Sequence, residues 1–107
     1  MRGTFMAALL VQGSDPDRLE VQFDQVMEEL IRLGVADPAI GGTLTTGEVE
    51  ISITVDAPTP EEAVPKAMST LRAALHAAGI ATPGWPGWRG GAGTTRVDWK
   101  KLTLTPI

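Results

Sequence analysis

The chain has 107 residues, 43% hydrophobic and 21% charged, with 13 acidic against 9 basic side chains and a net charge of −4. That length suits one domain around one core, and the composition excludes wholesale disorder. Cysteine is absent, which removes disulfide and thiolate chemistry and makes a cytoplasmic compartment the expectation.

The charge is divided unevenly. Residues 1–83 hold twelve acidic and five basic side chains, whereas residues 84–107 hold Arg89, Arg96, Lys100 and Lys101 against Asp98 alone. An acidic body disfavours broad contact with nucleic-acid phosphates. The basic end is left to meet an acidic partner or its own body.

The opening MRGTFMAALLVQGSD contains an apolar run too short to span a bilayer, with no small-residue cleavage site after it. It reads as a strand, and no membrane segment is expected elsewhere. SDPDRLEVQFDQVMEELIRLG follows as a helix, with Ser14 as N-cap and Asp17 near its positive end. Leu19, Phe23, Val26, Met27, Leu30 and Leu33 form its apolar stripe, leaving Asp24, Glu28 and Arg32 to water. Gly34 supplies the left-handed terminator, from which Val35 packs back onto Leu30.

AIGGTLTTG and EVEISITVD form the next two strands, joined by a tight Thr46-Gly47 turn. That turn pairs Leu44 with Val49, Gly42 with Ile51 and Ile40 with Ile53. Val49, Ile51, Ile53 and Val55 share a dry face, and Glu48, Glu50, Ser52, Thr54 and Asp56 a wetter one. TPEEAVPKAMSTLRAALHAAG is a second helix, capped by Thr59, with Pro60 at its first position and Glu62 completing a capping box. Its stripe is Val64, Met68, Leu71, Leu75 and Ala78, ended by Gly79 and Ile80. Pro65 predicts a distorted start. A Gly/Pro/Trp-rich insertion at about 82–94 then precedes TTRVDWKKLTLTPI, a strand in which Val97 and Trp99 are out of phase with Leu102 and Leu104. A bulge near Lys100-Lys101, or departure of the strand from the sheet, reconciles them.

The two β-α segments repeat at an offset of 45 residues. Ser14 maps to Thr59, Leu19 to Val64, Phe23 to Met68, Val26 to Leu71, Leu30 to Leu75, Gly34 to Gly79, Val35 to Ile80 and Pro38 to Pro83. Met6, Ala8 and Leu10 map to Ile51, Ile53 and Val55. Two right-handed β-α-β halves predict an α+β fold in which residues 1–107 form one domain. Its four-stranded antiparallel sheet takes the order 4-1-3-2, with both helices on one face. This pattern resembles the ferredoxin-like βαββαβ sandwich, a likeness of fold that implies no activity. The stretch LHAAGIATPGW is similar to small uncharacterised proteins of actinobacteria and their phages, a resemblance that likewise implies no function.

On the phase set by that repeat, Met6, Ala8 and Leu10 face the helices, and Phe5, Ala7, Leu9 and Val11 face the open side of a central strand. Each large side chain left there forgoes roughly 1.5–3 kcal/mol of burial. The expected cover is Trp85 or Trp88 of the insertion, or a second molecule. Tryptophan and arginine are enriched at binding hot spots, so Phe5, Leu9, Trp85, Trp88 and Arg89 form the expected partner-binding set. The leading reading is a non-enzymatic protein-interaction module, self-associating as a homodimer or binding a different protein through this surface. The alternative is a small-molecule-binding regulatory domain with a pocket between sheet and loop, lined by Phe5, Leu9, Trp85 and Trp88.

A third reading, nucleic-acid binding through the basic end, conflicts with Glu50, Ser52 and Thr54 on the strand where an RNA-binding sheet displays aromatics. Chemistry is sparse. His76 is the only histidine, reads as a boundary residue of its helix, and leaves no metal site with a second imidazole or a thiolate. Glu48 and Glu50 read as a solvated strand face before a cation site. Gly90, Gly91 and Gly93 before Thr94-Thr95 lack the lysine and following helix of a phosphate loop. No nucleophile and base can be assembled, so neither catalysis nor a cofactor is expected.

Overall fold

A computed structural model describes residues 3–43, 46–80 and 95–107. Six elements follow in the order β1 (Gly3–Gly13), α1 (Pro16–Arg32), β2 (Ala36–Thr43), β3 (Glu48–Ala57), α2 (Pro60–Ala77) and β4 (Thr95–Pro106). The strands form one antiparallel sheet in the order β2-β3-β1-β4, and both helices pack against one side of it around a single core. This is the βαββαβ order and sheet of the ferredoxin-like sandwich. The Gly/Pro/Trp-rich insertion at about 82–94 lies outside the described residues.

The orientation of β1 is opposite to the expectation. Phe5, Ala7, Leu9 and Val11 are buried in the core, paired across β3 with Val55, Ile53, Ile51 and Val49 respectively. Met6, Ala8 and Leu10 lie on the open side, opposite Thr54, Ser52 and Glu50. The cause is one residue of helix length. α1 has 17 residues and α2 has 18. The repeat offset is therefore 44 at the helix starts, Pro16 to Pro60, and becomes 45 only at their ends. Carried back into the strands, an offset of 44 sets Leu9 against Ile53 and Val11 against Val55, all core-facing. A shift of one residue inverts every side chain of a strand.

The two helices end in the same way. In α1 the Val35 N–H donates to the Leu30 carbonyl at 3.1 Å and the Gly34 N–H to Ile31 at 3.0 Å. In α2 the Ile80 N–H donates to Leu75 at 2.9 Å and the Gly79 N–H to His76 at 3.0 Å. Both are Schellman endings, and both glycines have positive φ, 75° and 81°. At the other end of α2, Thr59 is the cap and its hydroxyl accepts from the Glu62 N–H at 3.3 Å. The α1 start lies one residue later than expected: Asp15, in front of Pro16, accepts the first helical bond, from Leu19.

The buried stripe of α2 also differs over its first half. Ala63 and Ala67 are buried where Val64 and Met68 were expected, and Leu71, Leu75 and Ala78 are buried as expected. Val64 is among the exposed apolar side chains, as is Leu33 beyond the end of α1. α2 continues through Pro65 without interruption.

The β2–β3 hairpin keeps the expected faces at a different register. Ile40 pairs with Ile51, Gly42 with Val49 and Thr43 with Glu48. This is two residues from the expected alignment, and a slip of two preserves sidedness because strand side chains alternate with period 2. The connection is correspondingly longer than a two-residue turn. Gly47 in it has φ of 75°, and its carbonyl accepts from the Gly13 N–H at 2.8 Å.

β4 carries the irregularity its sequence requires. Leu102 pairs with Leu9 and Val97 with Val11, so the register shifts across residues 98–101. The bulge turns Val97, Trp99, Leu102 and Leu104 all toward the core. Both edges of the sheet are thus interrupted. β2 has its own shift between Ala36 and Ala39, where Asp37 adopts a φ of 48° ahead of Pro38.

Candidate interaction surface

The two-residue period of the strands builds the open face from every second residue. β3 contributes Glu48, Glu50 and Asp56, all exposed, with Ser52 and Thr54 partly covered. β1 contributes Thr4, Met6, Ala8, Leu10 and Gln12; Met6 is 40% exposed, Leu10 is half-buried, and Ala8 is buried between Ser52 and Thr103. The Thr103 hydroxyl donates to the Ala8 carbonyl at 3.4 Å, and the Thr4 hydroxyl donates to the Asp56 carboxylate at 2.9 Å. At one end Leu10, Gln12, Glu48, Asp98 and Lys101 line a depression of about 240 Å³ that crosses three strands. The Asp98 carboxylate accepts from the Lys100 backbone N–H at 3.0 Å, fixing the bulge beneath it.

Two of the expected partner-binding residues are therefore not on this surface. Phe5 is 6% exposed and Leu9 is 0% exposed, both beneath the helices. Neither is placed to line a pocket on the open side. Trp85, Trp88 and Arg89 lie outside the described residues. The apolar row that the open face does display is Met6, Ala8 and Leu10. Its signal was in the sequence as the other phase of the same run, readable once Pro16 and Pro60 are matched as the two helix starts.

Trp99 serves the opposite side. Its ring lies under the Arg72 guanidinium of α2, 5.6 Å from carbon to ring centroid, joining β4 to the helix layer. The Trp99 Nε1 and Arg72 Nε atoms are buried without an acceptor among the described residues. One turn further along α2, burial and the nearby Arg72 charge lower the pKa of His76 below its ordinary value. That matches its expected place at the boundary of the helix stripe. Among the described residues no three His, Cys, Asp or Glu side chains come together to hold a metal.

The helix side also has a groove of about 470 Å³ over the end of β3. Ile53 and Val55 lie along it, Leu33 and Val35 form one wall, and Lys66, Ser69 and Thr70 of α2 stand on the other. The Lys66 Nζ donates to the Asp56 carbonyl at 2.6 Å, tying the start of α2 to the end of β3.

The geometry defines an α+β sandwich with one solvated sheet face, and comparison with known proteins adds little to that class. No protein-family model matches the chain, and neither does any curated protein. Among solved structures, an uncharacterized protein from Thermotoga maritima aligns over 100% of this chain and 99% of its own, with 11% identity and a TM-score of 0.43. Among the described residues no helix is long and apolar enough to cross a membrane.

Proposed function

We propose that this protein is an interaction module that associates with a second copy of itself through the open face of its sheet. The observation that carries the reading is the row of Met6, Ala8 and Leu10 along a central strand, with Met6 40% exposed and both flanking strands polar. Met6 and the uncovered part of Leu10 gain most when a matching surface covers them.

The edges favour the face over edge-to-edge pairing. β2 carries a bulge with Asp37 and Pro38, and β4 carries a bulge with Lys100 and Lys101. Bulges, proline and lysine are the devices by which sheets avoid pairing at their edges. A continuous eight-stranded sheet is thereby disfavoured, and face-to-face packing remains open.

Sedimentation equilibrium tests the reading. The wild-type chain is expected to dimerise, and Met6→Glu, which puts a charge at the most exposed member of the row, is expected to remain monomeric with unchanged far-UV circular dichroism. A wild-type chain that stays monomeric at millimolar concentration rules the reading out.

A further inference from the structure

We propose that the two copies pack with their two-fold axis running along β1, so that β3 of each copy lies over β4 of the other. This rests on the self-association reading above and specifies its geometry. The open face is graded in charge from one side to the other. β3 displays three exposed carboxylates, Glu48, Glu50 and Asp56. β1 displays none, only Met6, Ala8 and Leu10 between Thr4 and Gln12. β4 brings Lys101 to the same face beside Leu10 and Gln12, with Lys100 next to it in the chain. The one acid of β4, Asp98, is held by the backbone N–H of Lys100.

Two sheets can be laid face to face by a two-fold axis along the strands or by one across them. An axis across the strands sets β3 over β3 and opposes three carboxylates to three. An axis along β1 exchanges left for right, so the acidic strand of each copy meets the basic strand of the other. Met6, Ala8 and Leu10 then lie over their own copies in the centre. The levels along the strands agree with this arrangement. Glu48 is level with Gln12, at the depression that Lys101 lines. Glu50 is level with Leu10, opposite the bulge that holds Lys101. Such an interface is isologous, so each favourable contact occurs twice, and like-charge juxtaposition selects against the other axis.

Complementary charge reversal distinguishes the geometry from the reading beneath it. Glu48→Lys with Glu50→Lys, and separately Lys100→Glu with Lys101→Glu, are expected to weaken self-association by about tenfold or more, since opposed like charges occur twice in the interface. Mixed in equal amounts, the two variants are expected to form a heterodimer with affinity close to wild type. Glu61→Lys with Glu62→Lys makes the same net charge change as the first pair, at the exposed start of α2, and is expected to leave the dimer unchanged. All these positions are exposed, and circular dichroism checks that each variant is folded. If wild type dimerises but the reversed variants self-associate equally well, or mixing restores nothing, this geometry is overturned and the self-association reading stands. A control pair as damaging as the others also overturns it. A monomeric wild type overturns both.

Discussion

Adjacent leucines on β1 give the most direct test of how this chain is built. Leu9 and Leu10 have the same side chain and adjoin each other on the same strand, yet they face opposite sides. Leu9 has no exposed surface and sits between Ile51 of β3 and Leu102 of β4, beneath the helices. Leu10 is half-buried on the solvated side, opposite Glu50. Truncating Leu9 to alanine removes buried methyl groups and leaves a cavity in close-packed surroundings, at a cost of about 2–5 kcal/mol. Truncating Leu10 forfeits part of one side chain's burial with no enclosed cavity, about 1 kcal/mol. Against the roughly 5–15 kcal/mol by which domains are stable, the first is severe and the second is mild. Urea unfolding at low micromolar concentration, where association contributes least, separates them. With a slope of about 1.5 kcal/mol/M, the midpoint falls by about 1.3–3.3 M for Leu9→Ala and by about 0.7 M for Leu10→Ala. Equal losses, or a larger loss for Leu10→Ala, would refute the assignment of β1's faces.

Other expectations follow from the backbone and from the single histidine. A Cβ on Gly47 would run into the Gly13 carbonyl as well as facing a φ of 75°, so Gly47→Ala is expected to cost more than about 2 kcal/mol in urea unfolding. Gly79→Ala meets open space at a similar φ, and its cost is expected to stay near the roughly 1 kcal/mol of left-handed strain alone. The lowered pKa of His76 means that, from its unfolded value near 6.5 downward, the unfolded chain takes up the proton first. His76 therefore contributes no pH dependence above that value and loses stability for the fold as pH falls through it. Melting temperatures between pH 7.5 and pH 5.5 should drop further in wild type than in His76→Gln; identical slopes would exclude the effect.

Much of this architecture was legible because the signals were local and redundant. The Schellman endings at Gly34 and Gly79, the Thr59 cap and the alternation of Val49, Ile51, Ile53 and Val55 each rest on short-range chemistry. The bulge in β4 was legible as well, since Val97 and Trp99 share a phase that Leu102 and Leu104 break. The face of β1 was not. FMAALLV is apolar in both phases, so periodicity is silent there, and the decision fell to the repeat offset. Aligning the halves on their helix ends carried an error of one residue through α2 into the strands, enough to exchange Phe5 and Leu9 for Met6 and Leu10. The same extra residue explains why Ala63 and Ala67, not Val64 and Met68, face the core: one position rotates a helix by about 100°.

Matched at the correct offset, the two halves say where selection for packing ends. Ala8 pairs with Ser52, which is its own counterpart 44 residues on, so a pseudo-two-fold axis passes between them. On the core side the counterparts are alike in character: Phe5 and Val49, Ala7 and Ile51, Leu9 and Ile53, Val11 and Val55 are all buried apolar residues. On the open side they differ at every level except the rim of the strand. Met6 stands where the other half has Glu50, Ala8 where it has Ser52, and Leu10 where it has Thr54. A monomer's core constrains the first set and is indifferent to the second, because both serve equally well to continue a strand. The open side has nonetheless become apolar on one central strand and acidic on the other. The core does not dictate that asymmetry, and it gains physical meaning when a second surface with the reverse arrangement is laid against it.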